Sequence, residues 1–377
     1  MVRLLAISLF ILFSTIGAMA QGPVRPPVFP FGPKPPPAPA IGMVGMLAGD
    51  VDSTGLRIAS DLARVLDNGN ELRIIPMAGK GSIQNINDLL NLKTVDIAIV
   101  QSDVLARFAR ISKQPGLQSH IQYVAKLYSE EFHVLSRMQF SRLQDLTGRR
   151  VSFGPKDSGM AITAEAVFET SSIAVNPLYL DHEDAIERLK RGELDALVYI
   201  GCKSSRAFDR ITHEDQVHFL DVEYLPGLQA NYLPAIVTAE DYPNLVAPNE
   251  SVGTIAVSTV MAIHALPPQS ERFRVLSRFT ERFFANIDKF KTGGYSPKWR
   301  EVDIRAPFRG WQRFQPAERW LLANAEPRTE PAAAPGDQKM KTMLRKFVKS
   351  RRGSSANQEE LFNRFIRWYQ QQNRPQR

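Results

Sequence analysis

The chain has 377 residues with 47 Lys and Arg against 39 Asp and Glu, a net charge of +8, and a single cysteine, Cys202. That length can bury a large core and predicts two lobes plus appendages, while one cysteine excludes an intramolecular disulfide framework. The charge says little about the body, because residues 338–377 hold eleven Lys and Arg against Glu359 and Glu360 and leave the rest nearly neutral.

Residues 1–20 read as a secretory signal peptide. Arg3 gives the positive start, residues 4–13 the apolar run, and Ala18-Met19-Ala20 the small-residue cleavage site before Gln21. The run is short for a membrane span of about 20 residues, so cleavage and release into the periplasm are expected. A large core without disulfides fits that compartment. Residues 21–40 hold nine prolines and predict an extended, semi-rigid leader.

Strands and helices then alternate. An apolar strand reaches Leu47, and the loop Ala48-Gly49-Asp50-Val51-Asp52-Ser53-Thr54-Gly55 opens a helix that continues to Leu66. Residues 71–76 read as a strand, Gly79-Lys80-Gly81-Ser82 as a loop, and 82–92 as a helix with Ile83, Ile86, Leu89 and Leu90 on its apolar side. Residues 95–100 form an apolar strand whose end carries Gln101-Ser102-Asp103. Two extended stretches follow, at 123–127 and 132–137.

The same device then recurs. Val151-Ser152-Phe153 is a strand, Gly154 to Gly159 a small-residue loop, 161–169 a helix, 176–180 a strand, 184–191 a helix and 196–201 an apolar strand. Residues 254–266 are too few to span a membrane and read as a buried strand or helix. The alternation predicts an α/β fold with mostly parallel strands and helices on both faces. In such sheets ligands sit at the carboxyl ends of the strands, where these loops gather. A Pro- and Ala-rich linker at 326–337 separates this body from a basic amphipathic tail at 338–377.

Four segments resemble a known family. They are Gly79-Lys80-Gly81-Ser82-Ile83-Gln84-Asn85-Ile86 with Val95 to Asp103; Leu143 to Gly154 with Asp157-Ser158-Gly159; Gly192-Glu193-Leu194-Asp195-Ala196-Leu197-Val198; and Ser251-Val252-Gly253-Thr254-Ile255-Ala256-Val257. Over residues 41–321 the chain is similar to the TAXI-type solute receptors of tripartite ATP-independent periplasmic (TRAP) transporters. It departs from them at Leu56-Arg57, where an aromatic residue is usual, and at Cys202-Lys203-Ser204, where a proline is common. The resemblance implies a type II periplasmic binding protein fold, with two α/β lobes joined by two crossing strands around a cleft. Lobe I is expected over 41–136 plus 251–325 and lobe II over 137–250. A solute-binding protein of this kind captures a small organic solute, expected to be anionic (an amino acid or carboxylate), and delivers it to TRAP-type membrane transporter subunits by hinge closure.

The expected ligand-binding residues follow from the strand-end loops. Ser53, Thr54, Ser82, Asn85, Ser102, Asp103, Ser158 and Gly159 stand at helix starts, where they either cap the helix or meet a ligand. Gln101 ends a buried strand. Arg57 offers a planar fork for a carboxylate, or is simply solvated. Cys202 follows a strand and is either a ligand contact or a small packing residue. The Gly154 to Gly159 loop lacks the lysine and hydroxyl of a phosphate loop, which argues against nucleotides. No catalytic constellation, cofactor fingerprint or metal-ligand spacing stands out, so no enzyme activity, no cofactor, no metal and no nucleic acid are expected. The tail favours an anionic membrane surface or an acidic protein. It also supports a different reading, a sensing or interaction protein that keeps the solute-binding fold and signals through that tail.

Overall fold

The computed structural model describes residues 42–111 and 116–325; the signal segment, leader, linker and tail lie outside them. A first block runs β1 (Gly42–Leu47), α1 (Thr54–Leu66), β2 (Leu72–Met77), α2 (Ser82–Asn91) and β3 (Ile97–Gln101). Next, α3 (Ser102–Ile111) and the short α4 (Leu117–His120) lead into β4 (Ile121–Arg137). A second block runs β5 (Arg150–Ser152), α5 (Gly159–Thr170), β6 (Asn176–Leu178), α6 (His182–Lys190) and β7 (Ala196–Gly201). The sheet is completed by β8 (Val217–Phe219), β9 (Tyr232–Thr238) and β10 (Ser251–His264). Finally α7 (Glu271–Ala285), α8 (Ile287–Thr292) and α9 (Gln315–Ala323) contribute to the core of the first block.

The strand order is β2-β1-β3-β10-β4-β7-β5-β6, with β8 added to β4 and β9 to β10. The two blocks share an internal plan. In each, the first strand is central and parallel to the second on one side and the third on the other. The chain therefore reverses its direction of winding beside β1 and again beside β5. Such switch points leave a crevice at the carboxyl ends of the strands, and both helix-opening loops lie there.

β4 and β10 hold the two halves together. β10 pairs antiparallel with β3 through residues 259–263 and with β9 through residues 251–257. β4 pairs with β10 over residues 121–131 and with β7 over residues 131–136, so each long strand serves both halves. The register of the β4–β10 pair shifts on either side of Val260. The fold is thus two α/β lobes joined by two crossing strands. One sequence expectation is corrected: residues 123–127 and 132–137 are not two stretches but one 17-residue strand. Ser129, Glu130 and Glu131, which interrupt the apolar run, are at the crossing itself.

β1, β3 and β7 are buried along nearly their whole length, which explains their near-continuous apolar sequences, whereas β2 alternates and β6 is largely exposed. In the first half, Ile58 and Leu62 of α1 and Phe279 and Phe283 of α7 join one core, while Ile86 and Leu89 of α2 and Leu105 of α3 join another. The second half packs Val167 and Phe168 of α5 in one core and Ile186 and Leu189 of α6 in another. Each such side chain contributes about 1.5–3 kcal/mol on full burial. That rigidity is what fixes the helix starts relative to the strand ends.

Candidate functional site

A cavity of about 200 Å³ opens where the two halves meet. Gly49, Asp50, Ser53 and Gly55 line it from the loop before α1, and Lys80, Gly81, Ser82 and Asn85 from the start of α2. Across from these, Pro155, Ser158, Gly159 and Met160 come from the start of α5. The strands supply Ile99, Val100 and Gln101 of β3, Tyr128 and Glu130 of β4, Ile200 of β7 and Thr259 of β10.

Three helix N-termini therefore face one space. Ser53 caps α1 by accepting from Leu56 N (3.1 Å), and Ser158 caps α5 by accepting from Ala161 N (3.1 Å). α2 begins at Gly81 without a capping side chain. The first N–H groups of a helix lack internal partners, and with the helix dipole they favour a negative group at that end. The start of α5 approaches very closely: a Cβ on Gly159 would stand 2.4 Å from Gln101 Oε1 and 3.2 Å from Ser82 Oγ. Only glycine permits that contact.

The polar side chains under these helix starts are tied to one another. Asn85 Nδ2 donates to Ala48 O (2.7 Å) and Ile99 O (3.2 Å), clamping the ends of β1 and β3 together. Gly79 must be glycine beside it, because a Cβ there would fall 2.1 Å from Asn85 Oδ1. Ser82 Oγ accepts from Gln101 N (3.0 Å), and Gln101 Nε2 donates to Glu130 Oε2 (2.8 Å).

Glu130 is the unusual group. Burial raises its carboxyl pKa to about 7; the Gln101 bond opposes that shift, as does the more distant Lys298 charge, while Glu131 and Asp103 reinforce it. Among the described residues no Lys, Arg or His forms an ion pair with it. Tyr128 lies alongside, its phenol held well above its ordinary pKa by burial and by the Glu130 charge. Asp50 and Lys80, of opposite sign, are exposed and add no net charge to the lining.

The family model described as NMT1-like matches residues 53–294, a span that takes in the first block from α1 onward, the whole second block, both crossing strands and all of the cavity wall except Gly49 and Asp50. The chain belongs to the NMT1-like family. Among solved structures, this NMT1-like chain is similar to the P235GK mutant of ArgBP from T. maritima, with 15% identity and a TM-score of 0.38, over 66% of this chain and 91% of that one. It is also similar to a TctC solute binding protein from Polaromonas, with 14% identity and a TM-score of 0.41, over 69% and 86% of the two chains. A third is the substrate binding protein of an amino acid ABC transporter, with 14% identity and a TM-score of 0.36, over 69% and 96%. No curated protein matches the chain. Among the described residues, no helix of this NMT1-like protein is long and apolar enough to cross a membrane.

The residues expected from sequence divide into two groups. Ser53, Ser82, Asn85, Gln101, Ser158 and Gly159 are brought together on the cavity wall. Thr54, Arg57, Ser102, Asp103 and Cys202 are not part of that lining. Arg57 is exposed on α1, a turn beyond its start. Ser102 is buried at the first position of α3, next to Gln101, and does not line the cavity. Asp103 instead accepts from Thr163 Oγ1 (2.7 Å) and the Tyr232 hydroxyl (2.8 Å), joining α3 to α5 and β9. Burial raises its carboxyl, against the lowering effect of those two bonds. The salt bridges from Arg107 to Glu165 (3.8 Å) and Glu169 (3.7 Å) reinforce that join. Cys202 packs against the first core with its Sγ 3.7 Å from Ser129 O; burial pushes its thiol up, so it is no reactive thiolate.

Sequence reasoning does not single out Glu130, Tyr128 or Thr259. A signal for Glu130 is nevertheless present: two consecutive carboxylates inside a long apolar run demand either a partner or a purpose.

Proposed function

We propose that this protein is a periplasmic solute receptor of the TAXI type. It binds a small carboxylate-bearing organic solute between its lobes and hands it to the membrane subunits of a TRAP transporter. The observation that carries this reading is the convergence of three helix N-termini, α1, α2 and α5, on one cavity at the switch points of both blocks. Ser53, Ser82, Gln101, Ser158 and Gly159 are the proposed contacts. The lobes are residues 41–136 plus 251–325 and residues 137–250, and they swing about β4 and β10 near the register shifts at Val260. Residues 1–20 direct export, and the tail from 338 onward is dispensable for folding and ligand binding.

Thermal-shift screening of the mature protein against organic acids and amino acids tests the reading, since a ligand that binds only the folded state raises the melting temperature by mass action. A rise of several degrees with one chemical class, accompanied by compaction in small-angle scattering, is the expected result. No shift with any solute, or a shift with no change in radius, contradicts binding by closure.

A further inference from the structure

We infer that the solute bound in this cavity carries a cationic amine, and that Glu130 is the residue that pairs with it. The inference rests on the receptor reading and narrows it from carboxylates in general to amino acids and similar zwitterions.

A plain anion meets opposing influences in this cavity. The starts of α1, α2 and α5 favour one negative group. Glu130 on the same wall disfavours a second negative charge and any anion that must sit near it. A solute with a carboxylate at one end and an ammonium at the other satisfies both features at once.

Glu130 has room for such a partner. Its Oε2 accepts from Gln101 Nε2 at 2.8 Å, and an ionised carboxylate has about four acceptor sites. The Gln101 amide is itself held by Ser82, whose Oγ meets Gln101 N and Oε1. Gln101 therefore presents an N–H to Glu130 and orients its carboxylate. An amide N–H bond favours the charged form of a carboxylate, which is the form that pairs with an amine.

The groups around Glu130 explain why the protein itself does not neutralise it. Lys298 is engaged with Glu131 (3.1 Å) and Glu301 (2.8 Å). Tyr128, Tyr199 and Cys202 are neutral, Asp103 and Asp50 carry the same sign, and Lys80 forms no ion pair with it. An empty cavity holds a carboxyl poised near neutrality; an incoming ammonium drives it to the charged state.

The test uses pairs of solutes that differ only at the nitrogen: alanine and lactate, leucine and 2-hydroxy-4-methylpentanoate, glutamate and 2-hydroxyglutarate. Each is titrated calorimetrically at pH 5.5 and pH 7.5 into the mature protein and into a Glu130→Gln variant with wild-type circular dichroism. The amino-acid member of the binding pair should be tighter by about ten-fold or more, as expected for a desolvated charge pair. Its affinity should rise about ten-fold between the two pH values as Glu130 ionises, and the variant should lose both effects. A hydroxy acid that binds as well as its amino partner, an affinity that falls with rising pH, or a preference that survives in Glu130→Gln overturns the inference and leaves the receptor reading standing. Binding of no member of any pair, by a protein shown to be folded, sinks both.

Discussion

Glu130 and Glu131 are neighbours in sequence on the same strand, yet β4 presents them to opposite sides. On one side Glu131 accepts from Lys298 Nζ (3.1 Å) and from Lys203 N (2.7 Å), and Lys298 donates further to Ser129 O (2.9 Å). That carboxylate has a built-in cation and a complete set of donors; it belongs to the crossing of the strands. On the other side Glu130 has the Gln101 amide and the neighbouring Tyr128 hydroxyl as its donors, an open cavity beside it and no ion pair among the described residues. A buried charge with its own counter-ion serves the fold, whereas one left without serves something that arrives later.

Replacing each by glutamine should therefore give opposite signs. Glu131→Gln leaves Lys298 buried with only Glu301 as an acid partner, and should lower stability by about 3 kcal/mol in urea unfolding. Equal effects of the two substitutions would erase the distinction. Glu130→Gln should stabilise the empty protein above neutral pH. The pKa of Glu130 is raised from an ordinary 4.5 to about 7, so between these values the folded state holds a proton that the unfolded chain has released. Its stabilising contribution is complete below pH 4.5 and lost as pH rises through 7. The wild type should lose about 3 kcal/mol from this source between pH 4.5 and pH 8, and Glu130→Gln should not. Identical pH profiles of melting temperature for the two proteins would contradict that.

Two smaller effects concern the cavity side alone. Ser158→Trp should remove ligand binding without unfolding the protein, because the ring fills the space before α5 and separates it from Gln101. Wild-type affinity in that variant would exclude α5 from the site. Ser158→Ala keeps the space but deletes the cap on Ala161 N, and should cost about 1 kcal/mol of stability, read from the urea midpoint.

The two blocks are legible in the sequence because each is built from local signals. Apolar strands, glycine- and serine-rich loops and 3.6-residue periodicity need only a window of a dozen residues. The helix starts at Ser53, Ser82 and Ser158 can be placed for the same reason. What cannot be read is which strand-end side chains share a space. The bond from Gln101 to Glu130 spans 29 residues, and those from Asp103 to Thr163 and Tyr232 span 60 and 129. Asp103 looks like a site residue because it stands at a helix start next to Gln101, and only the fold shows that it joins lobe to lobe. Glu130 is hidden for a different reason. Ser129, Glu130 and Glu131 look like a break between strands, because a pair of consecutive carboxylates contradicts the alternation expected of a strand.

The proton balance of binding is the most direct measure of whether Glu130 is waiting for a cation. It is obtained by repeating the calorimetric titration of the tightest-binding amino acid at pH 7 in buffers of different ionisation enthalpy. The account predicts that the wild type releases about half a proton, because a carboxyl half-protonated when empty becomes fully ionised against the ammonium. Glu130→Gln should release none. Proton uptake on binding, or the same release from the variant, would contradict the claim.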